Sequence, residues 1–263
     1  MFVRVTRVAL ALSVALPTIA AAQGFEYAPG TAQYRVTQKV HAVQEAMGQK
    51  QEIDNTVGLI VSTKLDRPSK DTLLLTSILD SVSVSSPMGV MPGMERLMGL
   101  KVVSKLSPAG VKYSSVGATD DSIPGASQFV EGLSTFLPKI RSLTKGATWT
   151  DTTTGKLKQG GLDLDRREIA TYTFAGDTTL GSEKAYKINR DGSQAVSGSG
   201  AAQGQAMTME GTGTTKGVFV VSTKGVLLSG EGTEDSTAKI LLAANGVEVG
   251  ITRASTLKIE KLK

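Results

Sequence analysis

From Tyr34 onward apolar and polar residues take turns, and that alternation constrains the fold more than any other feature of the chain. Tyr34, Val36, Val40 and Ala42 share one parity, and Arg35, Thr37, Lys39 and His41 share the other. A period of two is the spacing of a strand with one buried face and one wet face. Ile53, Val57, Leu59, Val61 and Leu65 repeat it, and Asp66-Arg67-Pro68-Ser69 closes that run with turn residues. A third strand is expected over about 72–85, with Leu73-Leu74-Leu75 at its start and Val82 and Val84 at its end. Shorter strands, 100–106 and 111–116, flank the turn Ser107-Pro108-Ala109-Gly110. In the second half, strands are expected at 163–174, 183–189, 194–210, 218–222, 226–233, 237–243 and 247–262. Their joints are Ala175-Gly176-Asp177, Asp191-Gly192, Lys224-Gly225 and Asn245-Gly246.

Two stretches break the alternation. Residues 86–99 combine Pro87 and Pro92 with Met88, Met91, Met94 and Met98. They predict a long connection whose flexible thioethers suit an adaptable apolar contact or a lid. Over 127–137, Phe129, Val130, Leu133, Phe136 and Leu137 fall at helical spacing, and Pro138 stops the run. The expected fold is therefore mainly β: long antiparallel strands in two curved sheets or half-barrels, with one central connecting helix. The halves are residues 31–117 and 146–263, the connector is 118–145, and 23–30 form a short leader. Gly30 to Tyr34 and Gly146 to Trp149 open the halves alike, which an old duplication or ordinary sheet grammar would both produce.

The first 22 residues predict a cleaved signal helix. Arg4 and Arg7 precede the apolar run 8–16, which is too short to cross a bilayer, and Pro17 ends it. Ala20-Ala21-Ala22 offers small side chains for a cut between Ala22 and Gln23. The chain has no cysteine, so it can carry neither a lipid on a thiol nor a disulfide, and a hydrophobic core must supply its stability. A periplasmic or secreted protein with no membrane span in the mature chain is expected. Losing Arg4 and Arg7 takes the net charge from +5 to +3. The charges are interspersed without a basic stripe, so nucleic acid is not an expected partner.

Most familiar chemistries lack their parts. His41 is the only histidine and alternates with polar residues, so a histidine-assisted nucleophile has no expected place. A structural zinc site needs about four cysteine or histidine ligands, and no cofactor is expected. The densest acids are Asp120-Asp121, Asp163 with Asp165, and the run from Glu231 to Asp235. They leave open a carboxylate-dependent extracellular hydrolase, because such pairs are set by distance in space. Two runs, from Gly198 to Gly204 and from Gly211 to Gly217, share the spacing G-x-G-x-x-x-G. Neither opens a helix or completes a phosphate loop, so bends or close backbone approach are expected there.

The exported start, the opening strand Gly30-x-x-x-Tyr34-Arg35, the long hairpins, the stop at Leu137-Pro138 and the segment Gly146-Ala-Thr-Trp149-Thr-Asp151 resemble domain-of-unknown-function family 6263 of exported bacterial proteins. The resemblance implies a β-rich exported protein and assigns no activity. The expectation that follows is a non-enzymatic exported β protein that binds a lipid or other apolar ligand, or an envelope protein, in the concavity of its sheets. Met88, Met91, Met94, Met98, Phe129, Leu133, Phe136 and Trp149 are the candidate contacts. The carboxylate hydrolase is one alternative. An outer-membrane β-barrel is the other, for which only 12 aromatic residues offer poor girdles.

Overall fold

In a computed structural model the alternation resolves into eleven strands. The structure describes residues 24–87, 94–117, 132–133, 136–159, 161–202, 205–243 and 246–262. The strands are β1 (Gly30–Ala46), β2 (Gln49–Ser69), β3 (Thr72–Ser85), β4 (Lys101–Leu106), β5 (Lys112–Gly117), β6 (Thr148–Gln159), β7 (Leu162–Leu180), β8 (Glu183–Ala202), β9 (Gln205–Ser222), β10 (Leu227–Leu242) and β11 (Val247–Lys261). All pairings are antiparallel, and the order is β5-β4-β3-β2-β1-β11-β10-β9-β8-β7-β6.

That order corrects the expectation of two sheets. β1 pairs with β2 on one side and with β11 on the other, Val36 facing both Leu59 and Ile259. The halves are therefore one curled, half-barrel sheet. The expected helix over 127–137 falls mostly outside the described residues. Of its apolar positions, Leu133 has helical backbone, whereas Phe136 and Leu137 do not. Two expected joints also prove wrong. Asp191-Gly192 lies inside β8, and Ala175-Gly176-Asp177 lies inside β7, where the register shifts between Phe174 and Gly176. The alternation passes unbroken through Asp191, which faces out, and Gly192, which faces in. A turn dipeptide breaks a strand only where the flanking parity breaks too.

Direct cross-strand partners share a face, so the register identifies the concave side. At one end, the base, Tyr34, Val61, Leu75, Leu79, Ile188, Val221, Phe174 and Tyr172 are buried on it. The chain fills its own base. Phe25 and Tyr27 from the leader, Leu97 from the 3-10 turn Met94–Leu97, and Leu133, Phe136 and Ile140 from the connector join that core. Each such side chain removed from water is worth about 1.5–3 kcal/mol. Hydrogen bonds fix the plug. The Tyr27 hydroxyl donates to the Pro138 carbonyl at 2.7 Å, Ser77 Oγ to the Leu133 carbonyl at 3.2 Å, and the Tyr27 and Ile140 amides to the carbonyls of Pro108 and Ala109. The leader is thus part of the core.

Candidate functional site

Above the plug the concave face changes character. On β7 the inward parity runs Phe174, Tyr172, Ala170, then Glu168 and Arg166, then Leu164 and Leu162. Charged side chains therefore occupy positions that the pattern reserves for the core. Their neighbours in register are of the same kind: Gln194 opposite Glu168, Arg190 opposite Tyr172, Glu234 opposite Thr215, and Arg253 opposite Ser236.

These residues form a polar belt across β7 to β11. Arg190 Nη2 donates to Glu168 Oε1 and its Nη1 to Thr215 Oγ1 at 2.9 Å. Arg166 Nη2 donates to Glu168 Oε2 at 3.2 Å. Gln194 Nε2 donates to Glu234 Oε1 at 2.8 Å, while Arg253 Nη1 stands 4.0 Å from the same oxygen. Glu168 is 16% exposed, Arg190 19% and Arg253 38%, so the belt is shielded at β7–β8 and opens toward β11. Burial, then Arg166, pulls the Arg190 guanidinium below its ordinary value, against Glu234. Buried polar atoms of this face without a hydrogen-bond partner include Arg253 Nε, and Asn55 Oδ1 on β2.

Beyond the belt lies an apolar rim. Met207, Met209, Ile240, Val249 and Ile251 face inward there and stay half-buried, whereas Leu162 and Leu164 are buried. Glycine paves the inner face between belt and rim. A Cβ at Gly211 would stand 3.0 Å from Ala238 Cβ and 3.1 Å from Val196 Cγ1, and one at Gly213 would stand 2.8 Å from Ser236 Cβ. The glycine-spaced runs are thus sites of close approach in a tightly curled sheet. The belt uses the same device, since a Cβ at Gly192 would fall 2.4 Å from Thr215 Oγ1, the acceptor of Arg190.

Among the described residues the candidate contacts drawn from the sequence do not assemble into one site. Leu133, Phe136 and Trp149 are buried in the base, where Phe136 meets Tyr34 edge-on at 4.8 Å and Trp149 stacks on Tyr172 at 5.9 Å. They belong to the plug. Met94 begins the 3-10 turn and Met98 is exposed. Met88, Met91, Phe129 and the cleavage pair Ala22 and Gln23 lie outside the described residues. A pocket of about 50 Å³ between leader and sheet, lined by Tyr27, Tyr34, Leu75, Leu137 and Leu227 among others, is too small for an acyl chain. Beside it, Lys139 pairs with Asp151, whose other oxygen has Arg141 at 3.8 Å. Burial, then Lys112, Arg141 and Arg190, lowers Lys139 to about 8, while the Asp151 carboxylate works the other way.

Of the acids considered for hydrolysis, Glu234 sits in the belt, Asp120 and Asp121 lie outside the described residues, and the others lie elsewhere. Asp163, Asp165, Glu231 and Asp235 face outward, and Asp165 has Lys156 at 3.8 Å. His41 pairs with Asp54 at 2.9 Å on the exposed outer face. Among the described residues no group of three or more histidines, cysteines and acids is placed to hold a metal. The parity of Arg166, Glu168, Arg190, Glu234 and Arg253 was the signal that could have found the belt.

No family model and no curated protein matches the chain. Solved structures align along most of its length at low similarity. Neisserial surface protein A is 11% identical over 87% of this chain and 97% of that one, with a TM-score of 0.20. A DUF1329 family protein from Desulfovibrio piger is 8% identical over 83% of each chain, with a TM-score of 0.21. An outer membrane channel from Pseudomonas putida F1 is 12% identical over 90% of this chain and 98% of that one, with a TM-score of 0.22. At these scores the likenesses say nothing about what this chain binds. The expectation of a mature chain without a membrane span finds no support in these likenesses, which include a membrane channel. Among the described residues no helix is long and apolar enough to cross a membrane, which leaves strands unaddressed.

Proposed function

We propose that this is a non-enzymatic exported protein of the cell envelope that holds an apolar ligand on the concave face of its half-barrel. One observation carries the reading: the chain fills the base of the concavity with its own side chains, yet leaves inward apolar residues such as Met209, Ile240 and Ile251 half-buried above it. Inward apolar surface left half-open in this way suits a bound apolar group. The resemblance to exported family 6263 agrees with this reading. Native mass spectrometry of protein purified from its own envelope tests it. The expected result is a mass carrying bound lipid, and lipid uptake after delipidation. A bare mass together with no uptake would overturn it.

A second reading, an outer-membrane barrel, is favoured by strand length. β7 to β9 are 18 to 20 residues long, and about 9–11 tilted residues suffice to cross a bilayer. Its difficulty is the convex face, which carries Lys216, Glu231, Asp235, Lys239 and Lys258. Lysine facing lipid costs about 2–4 kcal/mol at the bilayer midplane. Extraction from membranes only by detergent would favour the second reading, and recovery in detergent-free buffer the first.

A further inference from the structure

The belt is unevenly paired. Glu168 serves Arg166 and Arg190, so two guanidiniums share one carboxylate. Glu234 already accepts from Gln194, and Arg253 reaches it only at 4.0 Å. Of the belt's guanidiniums Arg253 is the most exposed. Arg253 Nε is buried without a partner, and such an orphaned donor costs about 1–3 kcal/mol until something accepts from it. On one side Arg253 faces Ala42 across the β1 ladder and on the other Ser236 across β10, so neither neighbour brings a charge. From this point a strip of small inward residues, Gly213 and Gly211 on β9 beside Ser236 and Ala238 on β10, runs to the half-buried rim and forms the trough. Through Ser236, Arg253 is level with Gly213 on β9, and the rim residue Met207 lies six residues further along, roughly 20 Å at about 3.3 Å per residue, a length that a long acyl chain spans.

We infer that the belt is a head-group seat: Arg253 takes the carboxylate or phosphate of an anionic amphiphile whose acyl chain lies along the trough toward Met209 and Ile240. Guanidinium matches either anion with two parallel hydrogen bonds, one from Nε and one from Nη. Glu234 limits the site by holding one negative charge beside it, so only an anion that outcompetes Glu234 for Arg253 is retained. The inference rests on the concave-face reading and narrows its ligand to one class.

The test is a binding titration below micelle-forming concentrations with oleate, an oleoyl lysophosphatidate and neutral mono-olein, on the wild type, Arg253→Gln and Glu234→Gln. The wild type is expected to bind an anionic probe at least tenfold more tightly than mono-olein, and the tighter of the two anionic probes identifies the head group. Arg253→Gln should erase that preference while keeping mono-olein binding. Glu234→Gln should strengthen anion binding several-fold, a gain that misfolding cannot imitate. Equal affinity for all three probes, unmoved by either substitution, would overturn the head-group seat and leave the concave-face reading standing. Failure of every probe to bind would overturn both.

Discussion

Tyr27 shows how much one side chain does in this fold. It is almost fully buried, meets Phe25 edge-on at 4.8 Å and bonds the connector through Pro138. Tyr27→Phe should cost about 1 kcal/mol, the net worth of one buried hydrogen bond. Tyr27→Ala should cost about 3–5 kcal/mol, because it also opens a cavity where leader, connector and sheet meet. Urea unfolding of the two variants checks the order and the spacing, and equal effects would show that the hydroxyl alone matters. Sequence patterning gives little warning of this, since the leader has too few residues for a period and its partners lie far along the chain. The belt was more legible. Arg166 and Glu168 share a parity with Tyr172 and Phe174, and charges at core parity ask for partners on neighbouring strands. Which partners they find depends on register, which no local pattern states.

At the scale of elements, the strands were readable because each keeps its parity for many residues, while their ends and some joints were not. Asp191-Gly192 has the composition of a turn, but the missing side chain serves the face of β8, where Thr215 Oγ1 needs the room. The joint at Gly225 is a true turn, and it does more than reverse the chain. Its φ is +79°, its carbonyl accepts from the Ala28 amide at 3.1 Å, and a Cβ there would lie 2.6 Å from Ala28 N and Glu26 O. Gly225→Ala should therefore destabilise by more than about 1 kcal/mol and loosen the leader, because alanine resists that backbone and clashes with main-chain atoms. Limited proteolysis should cut the leader of the variant faster than that of the wild type. An unchanged cutting rate would mean that the leader is held without this turn.

For the whole molecule, the β1–β11 ladder turns two expected halves into one body, which predicts a single unfolding transition in urea followed by two probes. Alkaline pH should reveal the same unity. Burial raises the Tyr172 hydroxyl to about 12 and pushes Tyr27 and Tyr34 up as well, so between about pH 10 and 12 the unfolded chain gives up phenolic protons that the folded chain keeps. Stability from these groups is complete below about pH 10 and falls as pH rises above it. The tyrosinate absorbance of these three should thus climb together with the loss of circular dichroism, and ionisation of all five tyrosines in the folded state would contradict the plug. The single sheet was not legible from the sequence, because its decisive ladder joins strands at opposite ends of the chain.

The central claim is that the concave face binds and the convex face stays wet. The absence of cysteine makes a direct measurement simple: Met209→Cys inside the trough and Lys216→Cys outside it each give one thiol for a polarity-sensitive fluorophore. On addition of oleate, the label at position 209 should shift to an apolar emission while the label at 216 keeps its aqueous one. An apolar shift at 216 with none at 209 would contradict the account.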